Sequence, residues 1–215
     1  MKRLKIFFWL LSLAFVGFGL KVPHANNKPA DNAVLLVYSG TIEAMDIGIH
    51  LEIDSLVGVR YDVVFEKGNN VLSHVALFYK FSDPQKTVLY NFATHQSITN
   101  NCCGTTGGDP KVMPVGTGEV DKYNCTHVQN VHYNQDHAED YWVSTELPGY
   151  SLLLKILNKI SPAYKEMFID GNIFQWGGLV KMTSKYKGQM VASINLTEAN
   201  STMTFPKTDF DVPSK

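Results

Sequence analysis

The chain has 215 residues, 19 of them basic and 20 acidic, which gives a formal net charge of −1 at pH 7. Beyond its first few residues it contains no basic cluster, and binding to a phosphate backbone requires one. Composition therefore excludes a nucleic-acid partner, and the length suits one domain with its own core.

The N-terminus has the pattern of a targeting segment. The basic start MKRLK precedes an apolar run, IFFWLLSLAFVGFGL, at residues 6–20. This run is too short to span a bilayer comfortably and is typical of a secretory signal peptide, here residues 1–25 with a cut after Ala25. A membrane-inserted N-terminal helix is the alternative. Residues 26–33 are a polar leader, and residues 34–215 are predicted to form a single secreted or periplasmic domain without a stable membrane anchor.

Short β-strands are predicted along most of the chain. AVLLVYSGTIEAM and IGIHLEI come first, and GVRYDVVFEKG alternates Val59, Tyr61, Val63 and Phe65 on one face. VLSHVALFYKF and TVLYNFATHQSIT are predicted to form a hairpin, KYNCTHVQNVHYN and DYWVSTEL form two further strands, and LVKMTSKY and QMVASINLTEA flank a Lys-Gly turn. The connections are too short for crossover helices, so the sheet is expected to be antiparallel.

One segment has helical periodicity. LPGYSLLLKILNKISP carries apolar residues at helical spacing and is bounded by Pro-Gly before it and Ser-Pro after it. We expect one or two helices here, laid against the sheet. Strands, a helical insertion and strands again indicate an α+β domain dominated by one curved antiparallel sheet.

Three cysteines occur, at positions 102, 103 and 125. In an oxidising compartment they would form one disulfide and leave one thiol over. Cys103 with Cys125 is the pairing we predict, because the Gly-rich loop between them can fold back, and closing it would contribute about 3 kcal/mol. Cys102 with Cys125, a vicinal disulfide, a metal site and free thiols remain alternatives. The unpaired cysteine could link two chains into a homodimer.

Catalytic and metal-binding patterns are weak. Cys125, His127, His132, Asp136 and His137 suggest a mixed metal site on paper, but His127 and His132 face opposite sides of a regular strand and the spacing matches no zinc motif. The sequence contains no G-x-S-x-G, H-E-x-x-H or Walker motif. We therefore expect neither a metal nor a cofactor, and no enzymatic activity.

The chain resembles LolA-like domains, the superfamily of periplasmic lipoprotein carriers and their relatives. The resemblance lies in the ending WGGLVKMTSKYKGQMVASINLTEANSTMTFPKTDFDVPSK, in GVRYDVVFEKGNNVLSHVALFYKFSDPQKTVLYNFATHQSIT and in DYWVSTELPG. It is more distantly similar to the ependymin family of secreted animal proteins. The resemblance implies a half-barrel of antiparallel strands with one or two helices covering a hydrophobic concave face. It offers no clear equivalent of the carriers' cavity arginine, and we do not transfer that role to Arg60.

The expected function follows from this likeness and from the aromatic content of the strands. The domain is predicted to bind a hydrophobic small molecule or lipid between the sheet and a helical lid. Candidate lining residues are Tyr61, Val63, Phe65, Leu77, Tyr79, Tyr90, Trp142, Leu153 and Leu157. An adhesion-type interaction protein with a disulfide-linked dimer, and a Cys/His metal or redox module, are the alternatives.

Overall fold

A computed structural model describes residues 32–68, 70–101, 112–131, 136–157 and 173–213. The predicted signal peptide, most of the polar leader, Cys102, Cys103 and His132 lie outside these residues. Within the described part of the chain, no helix is long and apolar enough to cross a membrane.

The described residues form eleven strands and one α-helix. The strands of the N-terminal half are β1 (Ala33–Ile42), β2 (Met45–Asp54), β3 (Gly58–Lys67), β4 (Asn70–Lys80), β5 (Lys86–Asn91) and β6 (Gln96–Asn101). Those of the C-terminal half are β7 (Val112–Val120), β8 (Tyr123–Val131), β9 (His137–Ser144), β10 (Gly178–Tyr186) and β11 (Gln189–Asn200). The helix α1 spans Tyr150–Leu157, and two short 3₁₀ helices lie at Ile173–Gln175 and Lys207–Phe210.

All eleven strands belong to one sheet with the order β6-β5-β4-β3-β2-β1-β11-β10-β9-β8-β7. Every neighbouring pair is antiparallel, as the short connections predicted. Each half of the chain is a meander, and the first and last strands pair in the middle of the sheet. The two edges are therefore β6 and β7, which are consecutive in the chain.

The sheet is open and curved. Laid flat, eleven strands would be about 48 Å wide, yet residues 102–111, which join the two edge strands, can span at most about 40 Å. Tyr38 on β1 and Tyr123 on β8 also belong to one buried cluster and interact electrostatically, although three strands separate β1 from β8. A flat sheet would hold those two strands about 19 Å apart. The predicted α+β fold, a curved antiparallel sheet with a helix, is confirmed.

The two faces of the sheet are covered by different parts of the chain. Leu152, Leu153 and Ile156 of α1 belong to the main buried cluster, which occupies the face that we call the inner face. The C-terminal segment 201–213 packs on the opposite, outer face, where its 3₁₀ helix contacts β3 and β4 and buries Phe210.

Two parts of the sheet differ from the prediction. The run TVLYNFATHQSIT is divided into β5 and β6 by a turn in which the Asn91 side chain accepts hydrogen bonds from the amides of Ala93 and Thr94. This side-chain turn replaces the Gly or Pro that usually marks such a break. β7 was not predicted, because its Pro114 and two glycines interrupt any alternation and nearly all of the strand is exposed.

Candidate functional site

The inner face carries an unbroken apolar row across six strands. The row runs through directly paired residues on β1 to β6, namely Leu36, Leu51, Tyr61, Leu77, Leu89 and Ile98. Its first four members are buried, Leu89 is partly buried, and Ile98 on the edge strand is 67% exposed. The apolar surface therefore continues beyond the part that the described residues cover.

Tyr38 places a polar atom in the middle of this apolar face. The residue is 1% exposed and lies in the main buried cluster, directly opposite Ile49 of β2. Among the described residues its hydroxyl has no hydrogen-bond partner. Burial, with a smaller contribution from Tyr123, raises the pKa of Tyr38 far above its ordinary value, so the hydroxyl stays protonated and remains a donor. An unsatisfied buried hydroxyl costs about 1–3 kcal/mol.

The helix α1 begins at a tightly constrained position. Gly149 precedes it with φ of +79°, and a Cβ atom there would lie 2.5 Å from Cγ2 of Val34 on β1. Only glycine accommodates this close approach in the left-handed region. The Tyr150 hydroxyl donates a hydrogen bond of 2.7 Å to the carbonyl of Phe174, so the start of α1 is tied to the 3₁₀ helix that precedes β10.

A polar network interrupts the inner face in its C-terminal half. Glu139 is fully buried on β9, where its Oε2 accepts hydrogen bonds from the Tyr141 hydroxyl at 2.7 Å and from Nδ2 of Asn130 at 3.1 Å. On the same face, Nε2 of His137 lies 2.9 Å from the Ser184 hydroxyl. The inner face thus has an apolar half on β1–β5 and a more polar half on β8–β10.

Most of the predicted lining residues meet on the inner face. Five from β3 and β4 share the main buried cluster with Leu153 of α1: Tyr61, Val63, Phe65, Leu77 and Tyr79. Leu157 ends the helix, and its side chain lies outside the described part of the structure. These residues therefore lie in one buried cluster with the helix, and their role in lining a ligand site stays a prediction.

Tyr90 and Trp142 are corrections. Register places Leu89 opposite Leu77 on the inner face, so Tyr90 points outward, where it packs in a separate cluster with Phe78. Tyr141 occupies the inner face of β9. Trp142 lies on the outer side of the strand, where its ring stacks on that of His127 with centroids 4.7 Å apart, and it is partly buried against the main cluster. Both errors are shifts of one position, which move a strand residue to the opposite face.

A charged cluster on the outer face was missed by the sequence analysis. Nε of Arg60 lies 2.6 Å from Oδ2 of Asp62, and its Nη1 lies 3.9 Å from Oε2 of Glu52. Asp62 is 2% exposed, and burial raises the pKa of Glu52 to about 7 despite the opposing effect of Arg60. The available signal was alternation on β2 and β3, where residues between the apolar positions are charged.

Arg60 also lines a groove between the sheet and the C-terminal segment. The groove has a volume of about 490 Å³, and its walls are Arg60, Phe78, Phe92, Thr208, Asp209, Asp211, Val212 and Pro213. It lies on the face opposite α1. Arg60, to which we did not assign the role of the carriers' cavity arginine, therefore lies at a pocket. This pocket is on the outer face, whereas the predicted ligand site is on the inner face.

Several residues of the predicted disulfide and metal site, namely Cys102, Cys103 and His132, lie outside the described part of the structure. Cys125 is buried with a free thiol whose Sγ lies 3.5 Å from the carbonyl oxygen of Tyr123. Cys103, its predicted partner, is not among the described residues, so the disulfide stays a prediction. Within the described residues no group of three or more His, Cys, Asp or Glu side chains is arranged to hold a metal ion. His127 instead contacts Oδ1 of Asp140 at 2.9 Å.

Comparison with known proteins concerns the fold. No protein-family model and no curated protein matches the sequence. A crystal structure of an uncharacterized conserved protein from Thermus thermophilus matches with a TM-score of 0.51 and 8% identity, over 98% of this chain and 93% of the other. This likeness shows that the open sheet with its helix is an architecture found in solved proteins.

Two further solved structures align with lower scores. A putative outer membrane lipoprotein-sorting protein domain from Vibrio parahaemolyticus has a TM-score of 0.36 and 7% identity, over 86% of this chain and 91% of that one. The structure of PNGF-II has a TM-score of 0.41 and 11% identity, over 83% of this chain and 29% of that one. A lipoprotein-sorting domain is thus among the structural neighbours, as the LolA-like resemblance implied, and we base no conclusion about ligand or activity on these two.

Proposed function

We propose that this protein is a non-catalytic, secreted or periplasmic binding protein for an apolar ligand, a lipid or acyl chain, held between the inner face and α1. The observation that carries the proposal is the apolar row from Leu36 to Ile98, which is buried under the protein's own cover at one end and exposed at the other. An apolar row that continues past its cover is a surface on which an extended chain can lie.

The exposed end of the row supplies a route to the inner face. Ile98 is on edge strand β6, so an acyl chain reaching this edge meets apolar surface that leads over Leu89 and Leu77 toward the cover of α1. Each methylene transferred from water to this surface would stabilise the complex by about 0.8 kcal/mol. The affinity would therefore rise with chain length until the covered surface is filled.

Two features make α1 suitable as a lid. Its apolar side, with Leu153 and Ile156, faces the inner cluster, and Lys155 is exposed. Gly149 and the Tyr150 to Phe174 hydrogen bond hold the start of the helix in place. This anchor would keep the start of the helix in place while a ligand enters beneath its apolar side.

The Tyr38 hydroxyl favours an amphiphilic ligand over a pure hydrocarbon. Its hydroxyl is a buried donor without an acceptor among the described residues, and a carbonyl or hydroxyl oxygen of the ligand would satisfy it. In the adhesion-type alternative the chain-linking thiol is Cys102 or Cys103, because Cys125 is buried.

Binding is tested with the mature chain, a fluorescent fatty acid and native mass spectrometry. The wild-type chain should bind the probe and carry co-purifying mass in the lipid range. Leu153→Asp should weaken binding at least tenfold, because it places a carboxylate against the apolar face. Leu56→Asp makes the same change in an exposed turn and should leave affinity unchanged.

Two results would contradict the proposal. A folded Leu153→Asp variant, verified by circular dichroism, that binds like the wild type would exclude α1 as the lid. A wild-type chain that carries no lipid and binds no fatty acid would exclude the function itself. Tyr38→Phe tests the amphiphile separately: it should weaken binding of a fatty alcohol severalfold and leave binding of an alkane of equal length unchanged.

A further inference from the structure

The groove on the outer face is a second site, separated from the first by the thickness of the sheet. Its floor is formed by Arg60 on β3 and Phe78 on β4, which are directly paired across the two strands. Its other walls are Phe92 and the C-terminal segment. A volume of about 490 Å³ is within the range of sites for small organic molecules.

The positive charge of Arg60 is already matched by the protein. Its Nε and Nη2 lie 2.6 and 3.1 Å from the two carboxylate oxygens of Asp62, and its Nη1 donates to the carbonyl of Asp209 at 3.4 Å. The guanidinium also lies over the Phe78 ring, 5.8 Å from its centroid. The Nε, Nη1 and Nη2 groups of Arg60 are therefore already engaged. A ligand in the groove would have to compete with Asp62 and with the Asp209 carbonyl for them.

The negative charge of the groove is not matched in the same way. Asp211 forms an ion pair with Lys80. Asp209 is half-buried, and among the described residues its carboxylate has no hydrogen-bond or ion-pair partner within 4 Å. Burial raises the pKa of Asp209, and the attraction of Arg60 offsets this shift only in part. Arg60 and Lys80 thus face the carboxyl groups of Asp62, Asp209 and Asp211, besides Glu52, whose raised pKa leaves it partly protonated near pH 7.

Aromatic and apolar side chains complete the walls. Phe78, Phe92 and Val212 pack in the small apolar cluster that also contains Tyr90, and Phe92 is held by stacking on His74 with ring centroids 3.8 Å apart. Aromatic faces attract cations and repel anions because their quadrupole is negative above the ring. Aromatic walls beside an unmatched carboxylate are the combination that recognises alkylated ammonium groups.

We propose that the groove binds a small organic cation, an amine or quaternary ammonium with an apolar substituent. The ammonium lies beside the Asp209 carboxylate, and the substituent packs on Phe92 and Val212. An organic anion of the same size is disfavoured, because it approaches Asp209 and Asp211 while the donors of Arg60 are held by Asp62. This site is independent of the proposed lipid site, since it uses no residue of the inner face.

The test compares three probes of similar shape by calorimetry and by shifts of protein NMR resonances: benzyltrimethylammonium, phenylacetate and benzyl alcohol. The cation should bind most tightly, and its resonance shifts should centre on Phe92 and residues 208–213. Asp209→Asn should raise the dissociation constant of the cation by about fivefold and leave that of benzyl alcohol unchanged. Asp46→Asn removes an exposed carboxylate elsewhere on the sheet and is the matched control.

Three results would overturn the proposal. Tighter binding of phenylacetate than of benzyltrimethylammonium would make the groove an anion site that uses Arg60. Equal weakening by Asp209→Asn and Asp46→Asn would show that only net charge attracts the cation. Failure of all three probes to shift the resonances of residues 208–213 would show that the groove takes no ligand of this class. None of these results bears on the binding of fatty acids to the inner face.

Discussion

The two faces of β2 and β3 share one backbone and have opposite chemistry. On the inner face Ile49, Leu51 and Tyr61 are buried among apolar side chains. On the outer face Glu52 and Asp62 are buried almost as deeply, but with Arg60 between them. Burial alone therefore does not distinguish an apolar core from a functional site. The faces differ in what replaces the lost contact with water: apolar packing on the inner face and charge pairing on the outer face.

This difference gives the faces different responses to change. Apolar burial on the inner face is insensitive to pH and depends on how completely α1 fills it. The outer cluster depends on charge compensation in a poorly hydrated setting, where losing one partner leaves another buried and unpaired. Substitutions on the two faces should consequently differ in size and in their dependence on pH.

The largest effect is expected at Arg60. Arg60→Ala should lower the free energy of unfolding by about 3–5 kcal/mol, because Asp62 stays buried without its cation. Lys80→Ala removes the exposed ion pair with Asp211 and should cost no more than about 1 kcal/mol. Urea denaturation of both variants measures the difference. Equal, small costs would mean that the outer cluster behaves as ordinary exposed surface.

The next effect concerns pH and Glu52. Burial raises the pKa of Glu52 from 4.5 to about 7, so folding favours its protonated form. Its contribution to stability is full below pH 4.5 and is lost as the pH rises through 7. The free energy of unfolding of wild type minus that of Glu52→Gln should therefore fall by about 3 kcal/mol from pH 4 to pH 8.

This subtraction removes the titrating groups that do not contact Glu52, but His50 is not among them, because its Nε2 lies 3.9 Å from Oε1 of Glu52. Burial lowers the pKa of nearby His50, and a lowered histidine pKa contributes stability that is lost as the pH falls below 6.5, in the opposite direction. Urea denaturation at pH 4, 5, 6, 7 and 8 separates the two residues. A difference that stays flat over this range would show that the Glu52 carboxyl is not desolvated.

The smallest effect concerns the attachment of α1 to the inner face. Gly149→Ala should cost about 2 kcal/mol, because the residue has positive φ and its new Cβ would meet Val34 at 2.5 Å. Gly188→Ala, at φ of +78° with no atom within 4 Å, should cost about 1 kcal/mol for the backbone alone. Thermal unfolding measures the cost of each substitution. Equal costs would show that the contact with Val34 does not add to the destabilisation by Gly149→Ala.

Most of the fold prediction came from the alternation of apolar and polar residues along the strands. The apolar positions Val59, Tyr61, Val63 and Phe65 of β3 face inward as expected, and the Lys187-Gly188 turn joins β10 to β11 with both residues at positive φ. The helix begins after Gly149, where the sequence indicated a boundary. These features are set by local chemistry, so a single sequence contains enough information to predict them.

The missed features depend on pairing between distant strands. Tyr90 and Trp142 were assigned inward because they are large and aromatic, but register with β4 and β8 decides their face. The outer groove requires the C-terminal segment to return over β3, and its Arg60 to Asp209 contact joins residues far apart in the chain. No local pattern encodes such a contact.

The pairing of β1 with β11 has a consequence for how the chain acquires its structure. Each meander can form from successive hairpins, but the seam between them joins residues as far apart as Leu35 and Asn200. Closing this seam requires β11, so one edge of β1 and one edge of β10 stay unpaired until the C-terminal part of the chain is synthesised, and this long-range step is expected to be slow.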